Sequence, residues 1–194
     1  TLLGGDDAGK LKDWVATAPR LDRPTCAIYL HGPKDSGKNL FATGIARLWG
    51  EAPTELRSAH GSFNDAIVDN PLIFADEELP KGVTSGFIRS FVGQGTHPLR
   101  RKNIPEAKLL GYFRLVMAAN NADLLKFEDE SFSPDDIDAI AARVLYIKCS
   151  AEAPAYLKFL GGREGTAAWV DGDVIARHAL WLRDNLKVVA GDRF

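Results

Sequence analysis

Residues Gly32-Pro33-Lys34-Asp35-Ser36-Gly37-Lys38-Asn39 form the pattern G-x-x-x-x-G-K, which limits the possible folds more than any other feature of the chain. Glycines at this spacing let the backbone turn so that successive N–H groups point inward, a concave surface suited to a phosphate. The pattern works where a strand feeds the loop and a helix leaves it, because the helix N-terminus adds its positive end at the same place. Both flanks read that way. Cys26 to His31 is apolar and β-prone, a buried strand. Lys38 to Trp49 has apolar residues at 40, 41, 45, 48 and 49, which is helical spacing. Lys38 would then set a point charge against the β- and γ-phosphates of a nucleotide. The bland alternative, a Gly/Lys-rich surface turn, would need neither flank.

One position departs from the usual motif. The Ser or Thr that normally follows the lysine, and holds Mg²⁺ through its hydroxyl, is Asn39. An amide oxygen is also a hard ligand, so Asn39 is a candidate for the same task, with capping of the helix as the alternative. The second signal is Leu72-Ile73-Phe74-Ala75-Asp76-Glu77, an apolar strand with two carboxylates at its C-terminal end. In parallel sheets ligands bind at that end. Alternation along a strand predicts that the acids point opposite ways, so that Asp76 holds Mg²⁺ through water and Glu77 orients and deprotonates an attacking water.

The rest of the chain supports an α/β domain with a largely parallel sheet. Lys10 to Ala16 and Phe63 to Val68 read as short helices, and Val83 to Val92 as a helix ended by glycines. Phe113 to Ala118 and Val144 to Lys148 read as the third and fourth buried strands. Ser133-Pro134-Asp135-Asp136 is a helix start leading to about Ala142. Glu152 to Phe159 and Asp171 to Leu186 are mostly helical, with no site evident. Between His97 and Val116 the chain reads as a β-hairpin turning near Asn103 to Glu106. Arg100, Arg101, Lys102 and Lys108 there face only Glu106, a basic spot on a chain of net charge −2. Such charges contact phosphates without reading sequence, or merely blunt an edge strand. Asn120 ends the third strand, where it could sense a γ-phosphate or water, or start a turn before a helix at Ala122 to Leu125. Arg143 precedes the fourth strand. It is either a surface arginine at a helix end or a residue that reaches a neighbouring copy's nucleotide.

Composition excludes other classes. With 45% hydrophobic residues the chain is not disordered, and its 194 residues suffice for one α/β core. No apolar run approaches the length of about 18 residues that a membrane span needs, and no signal peptide is evident. Cys26 and Cys149, each in an apolar run, read as buried thiols rather than a disulfide framework, and the four His residues are scattered. A cytoplasmic location without membrane contact fits. The numbering begins at Thr1, not Met, so a domain cut from a longer polypeptide is expected.

The order of these parts resembles superfamily 3 helicases, the AAA+ group of small DNA viruses, phages and plasmids, over about residues 26–150. GPKDSGKN resembles their phosphate loop and LIFADE their acidic strand. RLVMAAN resembles their strand ending in a sensor Asn, which would be Asn120. AARVLYI resembles the segment carrying their arginine finger, which would be Arg143. HPLRRKNIPEAKLLGYFRL lies where the family has a basic hairpin that projects into a ring's channel. There Lys102, with Arg101 and Asn103, would grip single-stranded DNA. Asn39 and SFNDAIVDNPLIFADE look most like the helicase part of phage and plasmid primase–helicases, in which a priming or polymerase domain often precedes the motor. The resemblance implies one AAA+ P-loop domain over residues 1–194, with an ATPase core at about 26–150 and a helical part at 151–194. It implies a ring, a hexamer, that hydrolyses ATP with Mg²⁺ between subunits and moves on DNA in replication. Two other readings stand beside it. One is a P-loop nucleotide or metabolite kinase. The other is an AAA+ switch or loader that binds ATP without unwinding.

Overall fold

A computed structural model describes residues 7–120 and 134–188. Asn121, the helix expected at Ala122 to Leu125, the Ser133 cap and the exit after Val188 lie outside the described residues. The chain runs α1 (Asp7–Thr17), β1 (Ala27–His31), α2 (Lys38–Ala46), β2 (Thr54–Glu55), α3 (Leu56–His60), a 3₁₀ turn (Asp65–Val68), β3 (Leu72–Asp76) and α4 (Ser85–Gly93). It continues through β4 (Thr96–Arg101), β5 (Ile104–Leu110), β6 (Arg114–Ala119), α5 (Pro134–Ala141), β7 (Val144–Lys148), α6 (Ala153–Phe159), α7 (Gly162–Asp171) and α8 (Val174–Asn185).

Five strands form a parallel sheet in the order β2-β3-β6-β1-β7. Strand alternation divides its side chains between two cores. Ala27 and Tyr29, Ile73 and Ala75, and Leu115 and Met117 pack on one face with Ile88 and Phe91 of α4. Ile28, Leu30, Val116 and Ala118 pack on the other with Trp14 of α1, Ile45 of α2 and Leu182 of α8. Both faces are covered, which explains why these strands read as continuous apolar runs. Each fully buried Ile or Leu contributes roughly 1.5–3 kcal/mol relative to exposure. This is a P-loop NTPase fold with helices on both faces and a separate antiparallel hairpin, β4–β5, between β3 and β6.

Arg114, at the start of β6, is fully buried. Its guanidinium donates to the carbonyls of Ala18 (2.9 Å), Phe113 (3.3 Å), Tyr112 (3.4 Å), Arg23 (3.2 Å) and Arg20. Burial pushes its pKa down to about 10, against a favourable Asp22 charge. The connector from α1 to β1 is thereby wrapped around one charged group.

The structure corrects several expectations. The hairpin turns at Lys102 and Asn103, because Arg101 already faces Ile104. Asn103 takes φ 62°, a left-handed conformation that Asn tolerates better than most residues. Pro105 lies within β5. Leu99 faces Ala107 and Arg101 faces Ile104, so Pro105 and Glu106 together oppose Arg100. That is a bulge, where a residue without N–H is admissible in a strand. The hairpin does not run into the third strand, since Gly111 at φ 118° turns the chain between β5 and β6. The element expected from Phe63 is a 3₁₀ turn from Asp65, and α2 ends at Ala46. Both cysteines are buried thiols.

Candidate functional site

The loop between β1 and α2 is fixed by two glycines. A Cβ on Gly32 would lie 2.6 Å from the Cβ of Cys149, because the residue after β7 donates its N–H to the His31 carbonyl (2.7 Å). Gly37 takes φ 88° as the last residue before α2, a conformation that favours glycine. Lys34 and Asp35 form the outer, exposed turn and Ser36 is buried beneath it. Asp35, at φ 60°, accepts from Arg163 of α7 at 3.4 Å, and both side chains are well exposed. The Lys38 side chain is 7% exposed and curls back into the loop. Its Nζ donates to the carbonyls of Gly32 (2.9 Å) and Pro33 (2.8 Å) and to Asn120 Oδ1 (3.0 Å).

β3 and β6 are adjacent in the sheet, with Asp76 opposite Ala118. Asp76 Oδ2 accepts from Asn39 Nδ2 at 2.8 Å, so Asn39 is engaged across the site rather than capping α2. Asn120 Nδ2 donates to Glu77 Oε1. Lys38, Asn120 and Glu77 thus form one chain of polar contacts, with the Asn39–Asp76 pair beside it. The expected opposition of the two acids does not hold. Glu77 lies past the end of β3 at φ 63°, its N–H bonded to the Ala118 carbonyl (2.7 Å). That left-handed residue breaks the alternation, and both carboxylates turn to the loop. A non-glycine residue held there costs on the order of 1–2 kcal/mol, offset by that short backbone bond and the packed strands on either side.

The oxygens present suit a hard divalent ion. Mg²⁺ is usually held by one or two carboxylates together with substrate phosphates. Asp76 offers a carboxylate, and rotating the Asn39 amide would present a neutral oxygen beside it.

Arg143 is not part of this cluster. Val144 faces Ala27 and Lys148 faces His31 in the parallel pair, so Arg143 sits at the opposite end of the sheet, roughly 20 Å along the strand from the loop. Its Nη1 donates to the Ala139 carbonyl at 2.8 Å, closing the end of α5. The basic residues of the hairpin make no hydrogen bond or ion pair with the loop among the described residues. Arg100 pairs with Glu106 at 2.8 Å. Arg101, Lys102 and Asn103 are exposed at the tip and have no side-chain partner among the described residues.

One feature beside the loop escaped the sequence. A cavity of about 460 Å³ adjoins the loop, sharing Ser36, Gly37 and Lys38 with it. Its walls include Leu11 and Val15 of α1, Leu157 of α6, Trp169 of α7, and Ile175 and His178 of α8. Apart from His178 these are single apolar positions, indistinguishable in sequence from ordinary core. Only the packing of α8 on α2, where a Cβ on Gly44 would meet Ile175 Cδ1 at 2.4 Å, brings them to the loop.

Comparison with known proteins begins with a family described as of unknown function, DUF5906, which matches residues 30–135. That is more than half of the chain. The chain belongs to DUF5906. The matched segment runs from the end of β1 into α5 and contains the loop, both acids, the hairpin and Asn120. No curated protein matches the sequence. Among solved structures, the NrS-1 C-terminal region in an apo form is similar at TM-score 0.68 and 15% identity, over 95% of this chain and 43% of that one. The NrS-1 region 305–718 gives 0.52 at 15%, over 93% and 47%. JCV helicase, solved with a bound acetamide compound, gives 0.55 at 16%, over 97% and 52%. The chain therefore spans about half or less of these relatives' lengths. At such identities the likeness is one of fold, and the P-loop fold with a mainly parallel sheet expected from the motifs is the fold of this DUF5906 chain. Among the described residues no helix is long and apolar enough to cross a membrane.

Proposed function

We propose that this DUF5906 chain is one ATPase domain, the ATP-hydrolysing motor of a DNA helicase that works as a hexameric ring in replication. The observation that carries the reading is the contact chain Lys38–Asn120–Glu77 beside Asn39–Asp76, at the strand ends where nucleotides bind in parallel sheets. The loop Gly32 to Asn39 wraps the phosphates and Lys38 neutralises them. The base lies in the adjoining apolar cavity. Asp76, with Asn39, would hold Mg²⁺, and the ion would supply charge screening for the phosphates.

Glu77 accepts a proton from water as the water oxygen bonds to the γ-phosphorus and the bond to the β-phosphate oxygen breaks. Asn120 touches the phosphate-binding Lys38 on one side and this base on the other, which suits a sensor. Arg143 stands too far from its own loop to serve it, and in a ring it completes a neighbour's site. Arg101, Lys102 and Asn103 hold the backbone of single-stranded DNA without reading bases. A priming or polymerase domain elsewhere in the same polypeptide is the expected partner.

Glu77→Gln tests the mechanism. It keeps the shape and the Asn120 contact but removes the base, so ATP should bind as before while DNA-stimulated phosphate release disappears. Undiminished turnover would refute the role of Glu77. Phosphate transfer from ATP to a nucleoside monophosphate would point to a kinase instead.

A further inference from the structure

The segment Asn64 to Asn70 is tied by buried asparagines to the hairpin at one end and, at the other, to the far ends of the helix and strand that carry the nucleotide site. Asn64 is 7% exposed and Asn70 1%. Asn64 grips the outer edge of β4 three times. Its Nδ2 donates to the Pro98 carbonyl (2.9 Å), its Oδ1 accepts from the Arg100 N–H (2.8 Å), and its own N–H donates to the Arg100 carbonyl (3.1 Å). Asn70 makes the same kind of double contact at the other end. Its Nδ2 donates to the carbonyl of Ala46, the last residue of α2 (2.9 Å), and its Oδ1 accepts from the N–H of Leu72, the first residue of β3 (2.9 Å). Between them Thr54 Oγ1 bonds the carbonyls of Ala66 and Asn70, each at 3.0 Å, and Ile67 is buried in the core. α2 carries Lys38, and β3 carries Asp76.

We propose that residues 64–70 are a strut coupling the phosphate-loop helix to the basic hairpin, with Asn64 and Asn70 as its positioning residues. A two-stranded ribbon has little stability of its own and needs other packing to hold its direction. Asn64 supplies a third edge to that ribbon, close to the bulge from which the tip projects. Each asparagine uses both its donor and its acceptor, so no apolar residue of the same size can replace it, and a buried carbonyl left unpaired is costly. A shift of α2 or β3 on nucleotide binding would therefore be passed to Pro98 and Arg100, and so to Lys102. The coupling to DNA rests on the helicase reading. The strut itself rests on these bonds.

The test compares Asn64→Ala and Asn64→Asp with Lys102→Ala in the whole chain. Basal ATP turnover of Asn64→Ala should stay within about twofold of wild type, while the single-stranded DNA needed for half-maximal stimulation rises by about fivefold or more, the worth of one net hydrogen bond. Asn64→Asp keeps the acceptor for Arg100 and should fall between. Wild-type half-saturation in Asn64→Ala, with DNA binding lost in Lys102→Ala, would overturn the strut and leave the helicase reading intact. Unchanged DNA binding in Lys102→Ala would instead remove the helicase reading. The strut is then decided by amide hydrogen exchange on the unmodified chain, as it is if the Asn64 variants do not fold. Adding ATP should alter exchange at Leu72 and Arg100 together. A change at Leu72 alone, or at neither, would overturn it.

Discussion

Replacing Asn120 with alanine removes one side chain that holds two charged groups in register. Asn120 Oδ1 accepts from Lys38 Nζ at 3.0 Å, and its Nδ2 donates to Glu77. A bond to a charged group is worth about 1.5–3 kcal/mol when buried. Asn120 is exposed, so about 1 kcal/mol for each contact is the appropriate figure, or about 2 kcal/mol together. Both contacts bear on the base and the phosphate clamp during transfer, so the loss should fall on kcat, by about 30-fold. Phosphate release at saturating ATP measures kcat, and titration with a fluorescent ATP analogue measures binding. Thermal stability should hardly change, since an exposed side chain outside the core usually contributes within about 0.5 kcal/mol. Asn120→Asp should be at least as slow, because it sets a second carboxylate against Glu77. Turnover within about threefold of wild type in Asn120→Ala, or a loss confined to ATP affinity, would refute the bridging role.

Gly32→Ala drives a methyl group against Cys149 Cβ at 2.6 Å and should cost about 1–3 kcal/mol of stability, together with ATP binding. Cys149→Gly should restore part of both in a melting and nucleotide-binding assay. Arg114→Met leaves the buried Ala18 carbonyl and the part-buried Arg23 carbonyl without their donor and should destabilise by about 2–4 kcal/mol in urea titration. A loss under about 1 kcal/mol would mean that the connector does not depend on it. His97, at the hairpin base, is buried against Phe91 and Phe113 and donates Nε2–H to the Gln94 carbonyl. Desolvation lowers its pKa, and the Gln94 bond opposes this only in part. A depressed histidine gives stability that is present above its unfolded pKa of about 6.5 and lost as pH falls from there toward the folded value. Melting temperature should therefore drop below that pH, and His97→Phe should flatten the slope.

Local signals made the phosphate loop, the acidic strand, the strand ending at Ala119 and the basic hairpin legible, because each is a run of residues whose chemistry and period agree. The β7 limits, Val144–Lys148, coincide with the apolar run read there. The direction of Glu77 was not legible. Alternation applies only while φ stays extended, and nothing in Asp-Glu-Glu signals φ 63°. The hairpin turns earlier than Asn103 to Glu106 because Pro105 does not end the strand; a bulge accommodates it. β2 was missed because two residues, Thr54 and Glu55, carry no period. The cavity was missed because its walls come from α1, α6, α7 and α8, and their meeting at the loop is a tertiary fact.

The placement of the hairpin is itself an argument for coupling. It is inserted between β3 and β6, which are neighbours in the sheet, so the strands that flank the insertion carry the two acids and Asn120. Its base is closed by the Gly111 N–H on the Gly95 carbonyl (2.9 Å), while Phe91 stacks on Phe113, just before β6, with ring centroids 5.2 Å apart. A rigid displacement of β6 against β3 would carry Phe113 and, through Phe91, the hairpin base with it. The packed interior does not deform continuously, so such a displacement is better described as a switch between two packings than as a gradual bend. The aromatic contacts of Phe91, His97 and Phe113 are where those two packings should differ. If ATP changes the exchange of Asn64-bonded Arg100 without altering the environment of Phe113, the coupling runs through the strut alone and the strand path must be given up.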